Sequence, residues 1–162
     1  MVMLSLLPTT IADNNLAASV KEHNKKVESI IKWVSINAQI NVHKARYLVK
    51  RAMQSAYNNG VDPVLFVSLV FVESHFNEKA KSSVGAIGLT QVLAKFHKKT
   101  IGKRNLWKAE HNLDIGATIL KQYMIRYRST DIALAAYNGT IGKRKYVNKV
   151  LQVRSTLDCC AT

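Results

Sequence analysis

A chain of 162 residues with 48% hydrophobic content can bury one sizeable core but not two, and with only 7 Gly and 2 Pro it holds no low-complexity tract or fixed-period repeat. Its 24 Lys and Arg against 10 Asp and Glu give a formal net charge of +14, which points to a polyanionic partner. Nucleic acid, an anionic membrane surface and the bacterial wall satisfy that field equally, so charge alone does not choose among them, and no stretch approaches the ~20 apolar residues of a membrane span.

The first ten residues carry an apolar run, residues 2–7, closed by Pro8, with no Lys or Arg before it. A secretory signal has a basic start and a longer apolar centre, so this segment reads as a truncated or absent signal. Over residues 16–37, Leu16, Val20, Val27, Ile30, Ile31 and Val34 recur at spacings of three, four and seven, which predicts an amphipathic helix. A second is predicted over 42–57, with Ala45, Leu48, Val49, Ala52, Met53 and Ala56 on one stripe and Asn58-Asn59-Gly60 as its exit. Asp62-Pro63 supplies an N-cap and a first-turn proline for a third helix, almost wholly apolar over 64–72 and expected to run through Phe76.

Residues 79–88 read as a loop rich in Ser and Gly, 89–98 as a short helix, and 99–108 as basic and irregular. Helical spacing returns over 112–128 through Leu113, Ile115, Gly116, Ile119, Leu120, Tyr123 and Tyr127. A short apolar helix over 132–137 is broken by Asn138-Gly139, and 143–153 reads as a last basic helix. Strand signals are almost missing, so the predicted fold class is all-α. Cys159 and Cys160 are adjacent, which disfavours a bridge between them, and the chain has no second pair for a disulfide framework.

Glu73 follows nine uncharged residues and sits where the most apolar helix ends. Burial disfavours the ionised carboxylate, and the negative end of the helix dipole acts in the same direction, so a glutamate here becomes a general acid near neutral pH. Taken alone, Glu73 could instead cap the helix surface or pair with a lysine. Its neighbours also have plain readings. Gly85 and Gly88 fit turn glycines, Gln91 a solvated residue, Tyr137 a core aromatic and Asn112 an N-cap.

Jointly, Glu73-Ser74, Gly85-Ala86-Ile87-Gly88-Leu89-Thr90-Gln91 and Ala135-Ala136-Tyr137-Asn138-Gly139 occur in an order that resembles the catalytic domain of the soluble lytic transglycosylases, a goose-type-lysozyme-like family. The resemblance covers roughly residues 57–151. It implies a lysozyme-like single domain over 57–154; residues 1–56, which have no counterpart in that family, read as an N-terminal helical extension packed on or preceding the domain, and 155–162 as a tail. It further implies Glu73 as sole acid/base, Ser74 within the site, Gln91 on an N-acetyl sugar, the Tyr137 hydroxyl near the Glu73 carboxylate, and Asn112 and Asn138 among the substrate contacts. Thr90 stands where that family has Met, which is expected to trim an apolar contact in the cleft. Leu113 replaces an Ile, and Gly139-Thr140-Ile141-Gly142 replaces an Ala-Gly-Pro-Gly run.

The chemistry so implied cuts the bond between N-acetylmuramic acid and N-acetylglucosamine with one carboxylate and closes a 1,6-anhydro ring. No metal or cofactor is expected, since His23, His43, His75, His97 and His111 show no ligand spacing; His75 reads as a cleft-wall residue. Two rivals remain at this level. A goose-lysozyme-type hydrolase would need a second, water-positioning acid such as Glu78 or Asp131. A noncatalytic virion or DNA-binding protein would use the fold and the charge alone. Two acid-free basic runs, one with Lys95, Lys98, Lys99, Lys103, Arg104 and Lys108 and one with Lys143, Arg144, Lys145, Lys149 and Arg154, read as solvated faces or as a wall-facing surface. The expected partners are peptidoglycan glycan strands and a larger phage or secretion assembly reached through the N-terminal helices. Nucleic acid is supported by charge only. The expected place of action is the periplasm or cell envelope, or a virion.

Overall fold

A computed structural model describes residues 10–159; the apolar run over 2–7 and Cys160 lie outside the described residues. Seven α-helices follow in order among them: α1 Thr10–Asn37, α2 Val42–Asn58, α3 Pro63–Ser74, α4 Lys98–Ile101, α5 Ala109–Tyr127, α6 Thr130–Tyr137 and α7 Arg144–Cys159. A single 3-10 turn, Ala94–Phe96, precedes α4. The only extended pairing among the described residues is a pair of isolated bridges, Lys81 to Ile87 and Ile87 to Val92, so the fold is all-α.

The axis of the molecule is α3. Its start is fixed as the sequence indicated, with the Asp62 side chain accepting from the Leu65 N–H at 2.7 Å and Pro63 in the first turn. Six consecutive residues from Leu65 to Val70 are buried, and Ser68 returns its hydroxyl to the Val64 carbonyl. Helices α2 and α7 pack along α3, α5 packs on α2 and α6, and α1 lies on α2. Trp33 of α1 meets Phe71 of α3 with ring centroids 4.7 Å apart.

The end of α3 departs from expectation. The helix stops at Ser74 rather than running through Phe76, because His75 and Phe76 both take left-handed backbone angles, φ 49° and 57°. Each such residue costs about 1–2 kcal/mol. In return the chain turns Phe76 into the core, a burial worth about 1.5–3 kcal/mol, and the His75 N–H closes the helix on the Phe71 carbonyl.

Residues 89–98 do not form the expected helix. Ile87 and Val92 exchange both backbone hydrogen bonds at 3.1 Å, so Gly88-Leu89-Thr90-Gln91 is the tip of a tight hairpin. Leu89 and Thr90 are fully buried, so the tip points into the protein, and that burial overrides local helical preference.

The two ends of the chain join the main body differently. Of the expected extension, 1–56, packed on or preceding the domain, α2 is packed on it, with Ala45, Leu48, Val49, Ala52 and Ala56 in the main core. What stands clear is the first half of α1, exposed over residues 13–25. At the other end the expected tail continues α7 through Cys159, with Leu157 fully buried. Helix α5 starts at Ala109, which puts Asn112 inside its first turns rather than at the N-cap.

Candidate active site

Glu73 stands one residue before the end of α3, where the turn at His75 stops the helix and leaves the carboxyl facing a hollow of about 370 Å³. Tyr146 of α7 donates its hydroxyl to Glu73 Oε1 at 2.6 Å. Burial pushes the Glu73 carboxyl up to about 7, and the Tyr146 hydrogen bond opposes that rise only in part. Near neutral pH the group is therefore divided between acid and carboxylate. Tyr146 itself is held well above the usual phenol range, first by burial and then by the charge of Glu73, so it remains a donor. Sequence reasoning missed Tyr146, which lies in a helix legible only as a basic run.

Tyr137, expected near the Glu73 carboxylate, spends its proton on the hairpin. It donates its hydroxyl to the Thr90 carbonyl at 2.8 Å, fixing the hairpin tip to α6. Burial raises its pKa far above the ordinary value, and Glu73 contributes as a neighbouring charge. Tyr137 is thus close enough to feel the carboxylate, but its proton is committed elsewhere.

The side chains of Ser74 and Asn112 are likewise spent on the hairpin. The Ser74 hydroxyl is 2.7 Å from the Leu89 carbonyl, with the Val70 carbonyl a weaker acceptor at 3.2 Å, so it ties the end of α3 to the hairpin. Asn112 is 1% exposed. Its side-chain oxygen accepts from the Thr90 N–H at 2.8 Å and the Thr90 hydroxyl at 2.7 Å, and its amide donates to the carbonyls of Ile87 and Leu106 at 2.9 and 3.0 Å. Those bonds use all four of its positions, leaving none for a sugar.

The expectation that Thr90 trims a cleft contact is corrected in the same way, because Thr90 is fully buried. Its side chain sits so close to Gly116 that a Cβ there would lie 2.5–2.7 Å from it. Gly88, at φ +77°, passes equally near Asn112, where a Cβ would come within 2.3 Å of the amide nitrogen. Gly88, Thr90, Asn112 and Gly116 form one packed unit that sets the hairpin's height above α5.

Gln91 and Asn138 remain at the surface of the groove. Gln91, at φ 48°, donates its amide to the carbonyls of Gly88 and Ala80 at 2.9 and 3.2 Å, and lines a second hollow of about 170 Å³ with Tyr137 and His97. Asn138, exposed at the end of α6, lines both this hollow and the one holding Glu73. On the other side Val72 and Lys149 are shared with a third hollow, of about 240 Å³, that includes His75. Through these shared residues the two further hollows flank the one that holds Glu73.

Glu73 is the only acidic residue lining its hollow among the described residues. Glu78 pairs with Lys44, and Asp131 with Arg144 at 2.9 Å. Asp114 is bound by Arg51 and Ser55, and Asp62, at the far end of α3, by Arg154. A larger hollow, about 540 Å³, lies at that far end between α1, α2 and Pro63, and is lined by none of Glu73, Ser74, Gln91, Asn112, Tyr137 and Asn138.

The Transglycosylase SLT domain model matches residues 39–155. The chain belongs to the transglycosylase SLT family. Its motifs had suggested this, and the match begins just ahead of α2, in agreement with the place of that helix in the core. A protein of Enterobacteria phage PRD1 named transglycosylase is 35% identical over 88 residues, which make up 54% of this chain and 32% of that protein. The match therefore spans about a third of the relative's length. The all-α, lysozyme-like architecture is that of an SLT domain, and among the described residues no helix is long and apolar enough to cross a membrane.

Proposed function

We propose that the protein is a peptidoglycan lytic transglycosylase in which Glu73 is the sole acid and base. The observation that carries this reading is a carboxyl poised at about 7, alone among acids in its hollow, and held by a neutral phenol donor. General acid–base catalysis is most effective when the group titrates near working pH, and one such group can serve both steps.

In the first step the Glu73 acid gives its proton to the glycosidic oxygen between N-acetylmuramic acid and N-acetylglucosamine. The muramyl C1–O bond breaks, the N-acetylglucosamine end leaves as an alcohol, and the sugar cation is stabilised by its own acetamido group. In the second, the Glu73 carboxylate takes the proton of the muramyl C6 hydroxyl, whose oxygen bonds to C1. The product is a 1,6-anhydro ring, Glu73 is an acid again, and no water is consumed. Tyr146 orients the carboxyl through both steps, and its hydrogen bond strengthens when Glu73 is charged. In this reading Gln91 and Asn138, which line the hollows, meet N-acetyl groups, while Ser74, Tyr137 and Asn112 hold the hairpin that carries Gln91.

A hydrolase would need a second acid to position water, and the two candidates, Glu78 and Asp131, are in ion pairs outside the Glu73 hollow. The SLT domain and the phage relative support action outside the cytoplasm, at the cell envelope or from a virion. The exposed first half of α1 is the part left free for attachment to a larger assembly. The test is clearing of a purified wall suspension: the parent protein lowers turbidity and Glu73→Gln, folded by circular dichroism, does not. Equal clearing by both would sink the assignment.

A further inference from the structure

The hollow around Glu73 is lined by three exposed cations, Lys143, Lys145 and Lys149. Among the described residues none of the three has an acidic partner, whereas Arg144, in the same run, is paired with Asp131, and Arg154, further along α7, with Asp62 and Asp158. Lys145 and Lys149 stand one helical turn apart and flank Tyr146, whose hydroxyl holds Glu73. Lys149 also reaches the adjoining hollow beside His75. Their charge is not spent on the reacting group, since burial and Tyr146 account for the state of the Glu73 carboxyl.

Unneutralised ammonium groups gathered on one wall repel one another, and a ligand bearing carboxylates relieves that repulsion. A chain of neutral N-acetyl sugars offers no such partner. Muramyl residues do, through the acids that hang from their lactyl ether. We propose that Lys143, Lys145 and Lys149 form a carboxylate-reading wall that selects glycan carrying negatively charged muramyl substituents beside the bond to be cut. This rests on the transglycosylase reading of the site. The carboxylates have two sources, the stem peptide or, where the stem is missing, the lactyl group itself.

The test compares kcat/KM at low salt on three soluble strand preparations: strands with intact stems, the same strands with their carboxylates amidated, and strands stripped of stems by an amidase. For the parent, intact strands are preferred over amidated ones by roughly three- to tenfold, as two or three exposed ion pairs allow. That ratio falls towards one in K145Q/K149Q and is kept in Lys149→Arg. It is also kept in K21Q/K25Q, which removes the same charge from the exposed part of α1. On stripped strands, whose lactyl carboxylate is free, a preference over amidated strands that persists shows that the wall takes the lactyl carboxylate as well, and one that vanishes confines it to the stem.

A K145Q/K149Q ratio equal to that of the parent overturns the proposal, as does an equal fall in K21Q/K25Q, which would mean a general field rather than a local wall. If the parent cuts charged and amidated strands alike, only this inference fails. If it cuts no strand at all, the transglycosylase reading fails with it.

Discussion

Glu73→Gln has a consequence for folding that can be measured without substrate. The Glu73 carboxyl is raised from 4.5 to about 7 in the folded protein. Below the lower value both states carry the proton, so the side chain makes no difference to stability. As pH rises through this window, the unfolded chain gives up the proton while the folded protein still binds it, so stability falls until pH passes about 7. A shift of that size corresponds to about 3.4 kcal/mol at one pKa unit per 1.36 kcal/mol, and partial exposure of the carboxyl reduces it to about 2–3 kcal/mol. Glutamine has the same shape, keeps an oxygen for the Tyr146 hydroxyl and cannot ionise. Glu73→Gln should therefore exceed the parent by about 2–3 kcal/mol at pH 8.5 and match it at pH 4.5, equivalent to a Tm gain of roughly 4–12 °C at the higher pH. Urea unfolding followed by circular dichroism across that range reads it directly. A difference independent of pH, or a variant less stable than the parent at pH 8.5, would refute the reasoning.

Three further outcomes follow from the site and its support. Tyr146→Phe removes the hydrogen bond that lowers the Glu73 pKa, so the alkaline limb of the kcat/KM profile should move up by about half to one pH unit; a downward or absent shift contradicts the assigned contact. Gly116→Ala drives a Cβ into Thr90 and should cost about 1–3 kcal/mol in urea unfolding, so a neutral result would mean the hairpin does not press on α5 as described. Asn112→Asp turns an amide that donates to Ile87 and Leu106 into an acceptor facing two carbonyls. It should lower stability by about 1–3 kcal/mol and loosen hydrogen-exchange protection over residues 87–92, and a change confined to KM would instead return Asn112 to the substrate.

Helices whose burial is periodic were legible in the sequence, because spacing alone specifies one buried face; α2 ends one residue beyond its predicted limit. Asp62 and Pro63 fixed the start of α3 for a local reason, cap chemistry. What escaped was set by distant contacts. Nothing near Gly88-Leu89-Thr90-Gln91 announces that the Asn112 amide and the Ser74 hydroxyl will pull the segment into a buried hairpin tip. The same blindness affected the site. The motif residues were found as a set, but the division between those facing the groove and those bracing it depends on where each hydroxyl and amide is spent. Tyr146 was invisible as a partner of Glu73 because the two meet across 73 residues of chain through the packing of α7 on α3.

Mass spectrometry of the fragments released from purified sacculi in water enriched with heavy oxygen tests the central claim most directly. A single-carboxylate transglycosylase releases muropeptides ending in 1,6-anhydro rings, one water lighter than reducing ends, inert to borohydride and free of label, and the Glu73→Gln protein releases none. Reducing ends carrying the heavy oxygen would contradict the account, since they require an activated water that the lone Glu73 carboxyl was not assigned to supply.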